Sequence, residues 1–179
     1  MDKKMGWIEA YILFWRNTFN YNGRSRRAEY WKPMIINLFI MIIVSFIFGV
    51  ISAYQGQKDT EAEITITWIS LISSLAIFLP LLGVTIRRLH DVGLKTYHGI
   101  LTMLSYLIYG VGDFILTLNG TNFLTQMVGM MPDDPHAYIG TILIVFAIIF
   151  WIYNLYILFS LLLNSDKGPN KYGENPKRV

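Results

Sequence analysis

Apolar residues in this chain come in four long stretches rather than in short periodic groups broken by polar positions. Run length separates a buried core helix from a membrane span, and about 20 apolar residues cross the hydrocarbon core as a helix. The stretches cover about 33–54, 64–86, 97–118 and 138–163. Pro33 opens the first, at a position where a missing N–H costs nothing. Pro80 lies inside the second and predicts a kink. The third is the least apolar, with Gly110, Gly112 and Asp113 among Thr, Ser and Tyr. The fourth is interrupted only by Asn154. Backbone facing lipid must satisfy its own hydrogen bonds, so the predicted fold is an all-α membrane protein with four transmembrane helices.

Residues 1–32 precede the first span. Trp7, Ile8, Tyr11, Phe14, Trp15 and Phe19 recur near helical spacing. They predict an amphipathic helix, either lying at the inner leaflet or packed on the end of the bundle, and the two are compatible. Glu9 and the basic residues that follow, with no small-residue cleavage site, argue against a signal peptide. Asn20-Tyr21-Asn22-Gly23 then turns the chain. Residues 164–179 form a short tail, so the expectation is one integral membrane domain over 1–179.

Charge orients the bundle. Charged residues make up 15% of the chain, against roughly 25% in a soluble domain. Fourteen of the 15 Lys and Arg lie before the first stretch, between the second and third, or after the fourth; only Lys58 falls elsewhere. The positive-inside rule then places both termini in the cytoplasm of a multi-pass protein of the bacterial inner membrane, with residues 55–63 and 119–137 outside. Cysteine is absent, which excludes a disulfide framework, a thiolate nucleophile and a Cys metal site.

Three polar segments fall on the predicted cytoplasmic side. They are Gly23-Arg24-Ser25-Arg26-Arg27-Ala28-Glu29-Tyr30-Trp31, Arg87-Arg88-Leu89-His90-Asp91-Val92-Gly93 and Asn170-Lys171-Tyr172-Gly173-Glu174-Asn175-Pro176. Arg87 and Asp91 would share a helix face, as would Arg26 and Glu29. Arg24, Arg26, Arg27, Arg87 and Arg88 outnumber Glu29 and Asp91, so unpaired guanidinium groups are expected to remain. Arginine suits bidentate phosphate contacts, and His90 can add a hydrogen bond or titrate. Three readings compete: an anion site for a lipid headgroup phosphate, a salt-bridge network tying the helix ends, and plain topology signals. The network reading puts Glu29 within ion-pair reach of Arg87 or Arg88.

The three segments, in this order, resemble the bacterial domain-of-unknown-function family 805 of small polytopic inner-membrane proteins. The pattern of that family is Gly-Arg-x-x-Arg-x-Glu-Tyr-Trp, then Arg-Arg-Leu-His-Asp-x-Gly, then Asn-x-Tyr-Gly-x-x-Pro. Where the family continues its middle motif with Ser-Gly-Trp, this chain has Lys95-Thr96-Tyr97-His98. The resemblance implies a four-helix membrane protein and marks Gly23, Tyr30, Trp31, Gly93, Asn170, Tyr172, Gly173 and Pro176 as structural motif positions. It implies no activity.

Within the spans, Asn37 and Asn154 are expected to form interhelical hydrogen bonds. Asp113 is expected at the outer interface or beside a partner. The string Gly110-Val111-Gly112-Asp113 is similar to that of intramembrane aspartyl proteases, but their chemistry needs a second aspartate and no other stretch has one. His136 with Asp133 and Asp134 is a weak ligand set in the second outer loop. No catalytic residue, cofactor, metal site or nucleic-acid partner is predicted. The function classes left are a binding or regulatory module for anionic membrane lipids, an assembly subunit docking a protein partner or a second copy of itself, and a small oligomeric transporter or channel. An enzyme is disfavoured because His90 and Asp91 have no accompanying nucleophile.

Overall fold

The computed structural model of the chain describes residues 5–55, 60–118 and 137–176. They form five helices: α1 (Trp7–Arg16), α2 (Arg27–Gln55), α3 (Thr60–Asp91), α4 (Thr96–Leu118) and α5 (Ala137–Leu162). Among the described residues there is no strand, only an isolated bridge between Asn170 and Gly173. Among the described residues, three stretches are long and apolar enough to cross a membrane: Arg27–Ile51, Leu71–Asp91 and Val145–Leu162. The helix α4, at the position of the expected third span, has 23 residues and is not among the three.

Helix boundaries differ from the apolar boundaries, because apolarity marks the membrane and capping marks the helix. The helix α2 starts at Arg27, so Pro33 lies inside it rather than in its first turn. The start is set by Glu29, whose carboxylate accepts the backbone N–H of Arg26 at 3.4 Å, half of a capping box. At this same end of the bundle α3 stops in the same manner, with polar residues helical beyond the apolar run. The helix α3 continues through Arg87 and Arg88 to Asp91. There Gly93 N–H meets the His90 carbonyl at 3.1 Å and Leu94 N–H meets that of Leu89 at 2.9 Å. This is a Schellman stop, with Gly93 at φ 80°, a left-handed conformation that glycine adopts without strain.

The hydrophobic core sits at one end of the molecule. Phe14 of α1, Tyr30 of α2, Val84 and Leu89 of α3, and Ile157 and Leu161 of α5 form it, with Leu94 and Trp31 packed against it. Close approach needs two glycines. A Cβ at Gly83 would stand 2.7 Å from the Thr18 carbonyl oxygen, and one at Gly99 would stand 2.8 Å from Ile86 Cγ1. The first lets the turn after α1 lie on α3; the second lets α4 lie on α3. The helix α1 uses both of its faces. Ala10 and Phe14 are buried, whereas Trp7, Ile8, Ile12 and Trp15 are exposed.

Candidate functional site

The three polar segments meet at the core end. The extended piece Gly23–Ser25 runs beside the end of α3, where Ser25 N–H donates to the Arg87 carbonyl at 3.1 Å. The tail after α5 folds back over the same point. Asp166 N–H donates to the Asp91 carbonyl at 3.0 Å, and Asn170 Nδ2 donates to the His90 carbonyl at 2.9 Å. The orphan carbonyls at the end of α3 are thereby answered by two other parts of the chain.

Asp91 is the centre. It is fully buried, and its carboxylate accepts from Arg24 Nε at 2.9 Å on one oxygen and from Arg88 Nη1 on the other. Arg24 makes five hydrogen bonds. Besides Asp91 Oδ1 they go to the carbonyls of Asp91, Asp166, Gly168 and Gly173. A guanidinium has five N–H donors, so none is left over. Arg88 is also fully buried, and it donates to the carbonyls of Leu161 and Leu163 in addition to Asp91. Those carbonyls close α5, whose last turn has no basic residue of its own. Arg88 supplies from α3 the cation that the negative end of that helix dipole favours. Arg27 adds to the same end, donating to the Leu162 carbonyl and to Asn164 Oδ1.

Arg87 points the other way. It donates to Ser25 Oγ at 3.0 Å and to the carbonyls of Asn17 and Asn20, so it closes α1. The His90 ring donates through Nδ1 to the Gly23 carbonyl at 3.2 Å, places Nε2 2.8 Å from Thr96 Oγ1, and stacks on Tyr172 with centroids 3.6 Å apart. A carbonyl can only accept, so Nδ1 carries a proton. Beside the cluster lies a cavity of about 590 Å³ walled by Glu9, Glu29 and Glu174 as well as Arg24 and Arg26.

Residues 18–174 match the family described as Protein of unknown function (DUF805). The chain belongs to this family. Two similar proteins are inner membrane proteins of Escherichia coli (strain K12). YhaH is 29% identical over 100 residues, covering 56% of this chain and 77% of YhaH. YhaI is 37% identical over 84 residues, covering 47% of this chain and 62% of YhaI. No solved structure matches. The chain is a membrane protein of the DUF805 family.

In this DUF805 chain, Arg24, Arg27, Arg87, Arg88, His90 and Asp91 converge as the sequence suggests, but two pairings do not form. Glu29 makes no ion pair with Arg87 or Arg88; the two ion pairs among the described residues both use Asp91. Glu29 instead caps α2 beside Ser25, within the field of Arg87. Asp91 pairs with Arg88 three residues away, not with Arg87 four away, because Arg87 is turned toward α1. Tyr30 enters the core, Trp31 donates to the Leu161 carbonyl, and Pro176 accepts from Arg26. Asn37 bonds between helices, accepting from Tyr11 Oη at 3.2 Å. Asn154 does not: its Nδ2 donates to Phe150 O one turn back in α5, the bond a helix offers at no reach. Asp113 falls in α4, with its side chain outside the described residues; Lys58, Asp133, Asp134 and His136 also lie outside them. Ser25, Thr96 and Asp166 are site members that sequence reasoning missed. The signal for Ser25 and Asp166 is the set of carbonyls at the end of α3 that their N–H groups answer; that for Thr96 is the second ring nitrogen of His90.

Proposed function

We propose that this DUF805 chain is a non-catalytic, four-span module of the bacterial inner membrane that binds anionic lipids at the cytoplasmic leaflet. The helices α2, α3, α4 and α5 are its spans. The count of four, with both termini cytoplasmic, is supported by the 14 of 15 basic residues that fall on one side of such a topology. The buried arginines lock the helix ends and tail together. Lipid contact falls to the exposed basic residues Arg16, Arg27, Lys95, Lys167 and Lys171, together with the exposed aromatics of α1.

One observation carries this division of labour. Arg24 and Arg88 are buried and committed to Asp91 and backbone carbonyls, and the adjoining cavity is walled by three carboxylates, which repel an anion. Trp7 and Trp15 have the amphipathic character that suits the headgroup level. His90 and Asp91 have their polar atoms engaged, so an acid–base role is not part of the proposal.

The test is competitive retention of phosphatidylglycerol over phosphatidylcholine by the detergent-purified protein. Glutamine at Arg16, Lys95, Lys167 and Lys171 together should remove the preference and leave the unfolding temperature nearly unchanged. Arg88→Lys should lower the unfolding temperature and leave the preference of the folded fraction intact. Full preference in the glutamine variant, or its loss in folded Arg88→Lys, would return the headgroup to the buried arginines.

A further inference from the structure

A second cavity lies between α2, α3 and α4, on the span side of the locked end. It has a volume of about 480 Å³, and its wall is apolar apart from Asn37, Ser74 and Tyr106. On α2 the wall runs from Met34 to Met41, on α3 from Leu71 to Leu81, and on α4 from Met103 to Val111. At 1.5 Å per residue these are roughly 10–15 Å of helix, about half of a ~30 Å hydrocarbon core. Its near end lies one to two turns from Arg27 and Arg87 along α2 and α3. The groove therefore has the reach of one leaflet, beginning at the locked end and stopping near the middle of the spans.

Asn37 stands on its wall, toward the locked end. The residue is 7% exposed. Its Oδ1 accepts from Tyr11 of α1, and its Nδ2 has no hydrogen-bond partner. A buried amide donor left unpaired costs free energy that an acceptor at that level would remove. Tyr11 belongs to the helix whose other face exposes Trp7 and Trp15, so Asn37 lies at the depth of an interfacial helix. That is where the ester carbonyls of a phospholipid lie, between headgroup and chain. Ser74 is already engaged, donating to the Leu71 carbonyl at 2.8 Å. Three methionines on the wall, Met34, Met41 and Met103, give an adaptable surface for a flexible chain.

We propose that this groove holds one acyl chain of a cytoplasmic-leaflet glycerophospholipid, with the Asn37 amide donating to its ester carbonyl. The inference rests on the lipid-binding orientation proposed above and adds a site that reads the ester and chain, not the headgroup.

The experiment compares retention of diester and diether phosphatidylglycerol by the purified full chain, using native mass spectrometry. Wild type should prefer the diester by about fivefold, the factor that one net hydrogen bond gives. Asn37→Leu should abolish that preference. Gly110→Phe should displace both lipids, since Gly110 lines the groove and a Cβ there meets nothing within 4 Å. Equal retention of the two lipids by wild type, unchanged retention in Gly110→Phe, or a second copy of the chain cross-linked across the groove would each overturn the proposal. Repeating the comparison with phosphatidylcholine separates the two sites. A diester preference that persists without an anionic headgroup supports the groove even where headgroup selectivity fails, and a preference that vanishes with the headgroup overturns it.

Discussion

The two halves of α2 belong to different environments. Near Arg27 the helix enters a closed polar and apolar interior: Tyr30 is in the core, Pro33 is buried, and Arg24 and Arg88 donate to Asp91 and to backbone carbonyls. Further along, a groove opens between α2, α3 and α4 at Met34 to Met41, and beyond it Ile42, Phe46 and Ile47 are exposed at 54%, 72% and 50%. The contrast shows where this fold keeps its specificity. In lipid, apolar faces gain little from meeting one another, because the surrounding chains are equally apolar. Directed contacts must then decide how the helices assemble. Here they are concentrated at one end, where Asp91, Arg24 and Arg88 join segments that lie 67 to 149 residues apart along the chain. The other end is free to be a surface for lipid.

The largest effect is expected at Asp91. Asp91→Ala leaves two buried guanidinium groups without their carboxylate, and the expected loss is about 3–5 kcal/mol, read as a large drop in the unfolding temperature in detergent. Gly83→Ala comes next. Its Cβ would press a backbone oxygen at 2.7 Å, and separating α1 from α3 should cost about 1–3 kcal/mol. Gly93→Ala forces a Cβ into a left-handed turn at φ 80° and 3.2 Å from Asp166 Oδ2; about 1–2 kcal/mol is expected. Tyr172→Ala removes the stack on His90 and should cost about 0.5–1.5 kcal/mol, most of it restored by Phe. At the lipid-facing end, Phe46→Leu and Gly49→Ala should fall within about 0.5 kcal/mol of wild type. Thermal unfolding of the six variants under one detergent condition checks the order, and a Phe46→Leu effect as large as that of Gly93→Ala would erase the contrast.

Long apolar runs made the long helices legible, and the three polar segments made the site legible as a place. Which acid would be the hub was not. Glu29 and Asp91 look equivalent along the chain, and only the three-dimensional arrangement puts one at the cap of α2 and the other between two arginines. The targets of the arginines were hidden for a different reason. Arg24, Arg87 and Arg88 donate mainly to backbone carbonyls, and every residue carries a carbonyl, so no side-chain pattern announces them. Excess arginine over acid therefore left a phosphate site open beside a network and plain topology signals, while in the structure helix ends and a returning tail accept from these arginines. The stack of Tyr172 on His90 was equally invisible, since 82 residues of separation say nothing about which aromatic meets which ring. Asn154 misled because an asparagine in an apolar run can bond backward within its own helix as readily as across to another.

The Asp91 cluster acts as a structural lock on the helix ends. A double-mutant cycle tests it most directly: Arg24→Met, Asp91→Leu and both together, with unfolding free energies measured in detergent. Arg24 and Asp91 share a buried ion pair at 2.9 Å, so strong coupling is expected, with the double variant more stable than the sum of the single losses by about 1–3 kcal/mol. Losses that simply add, within about 0.5 kcal/mol, would contradict it.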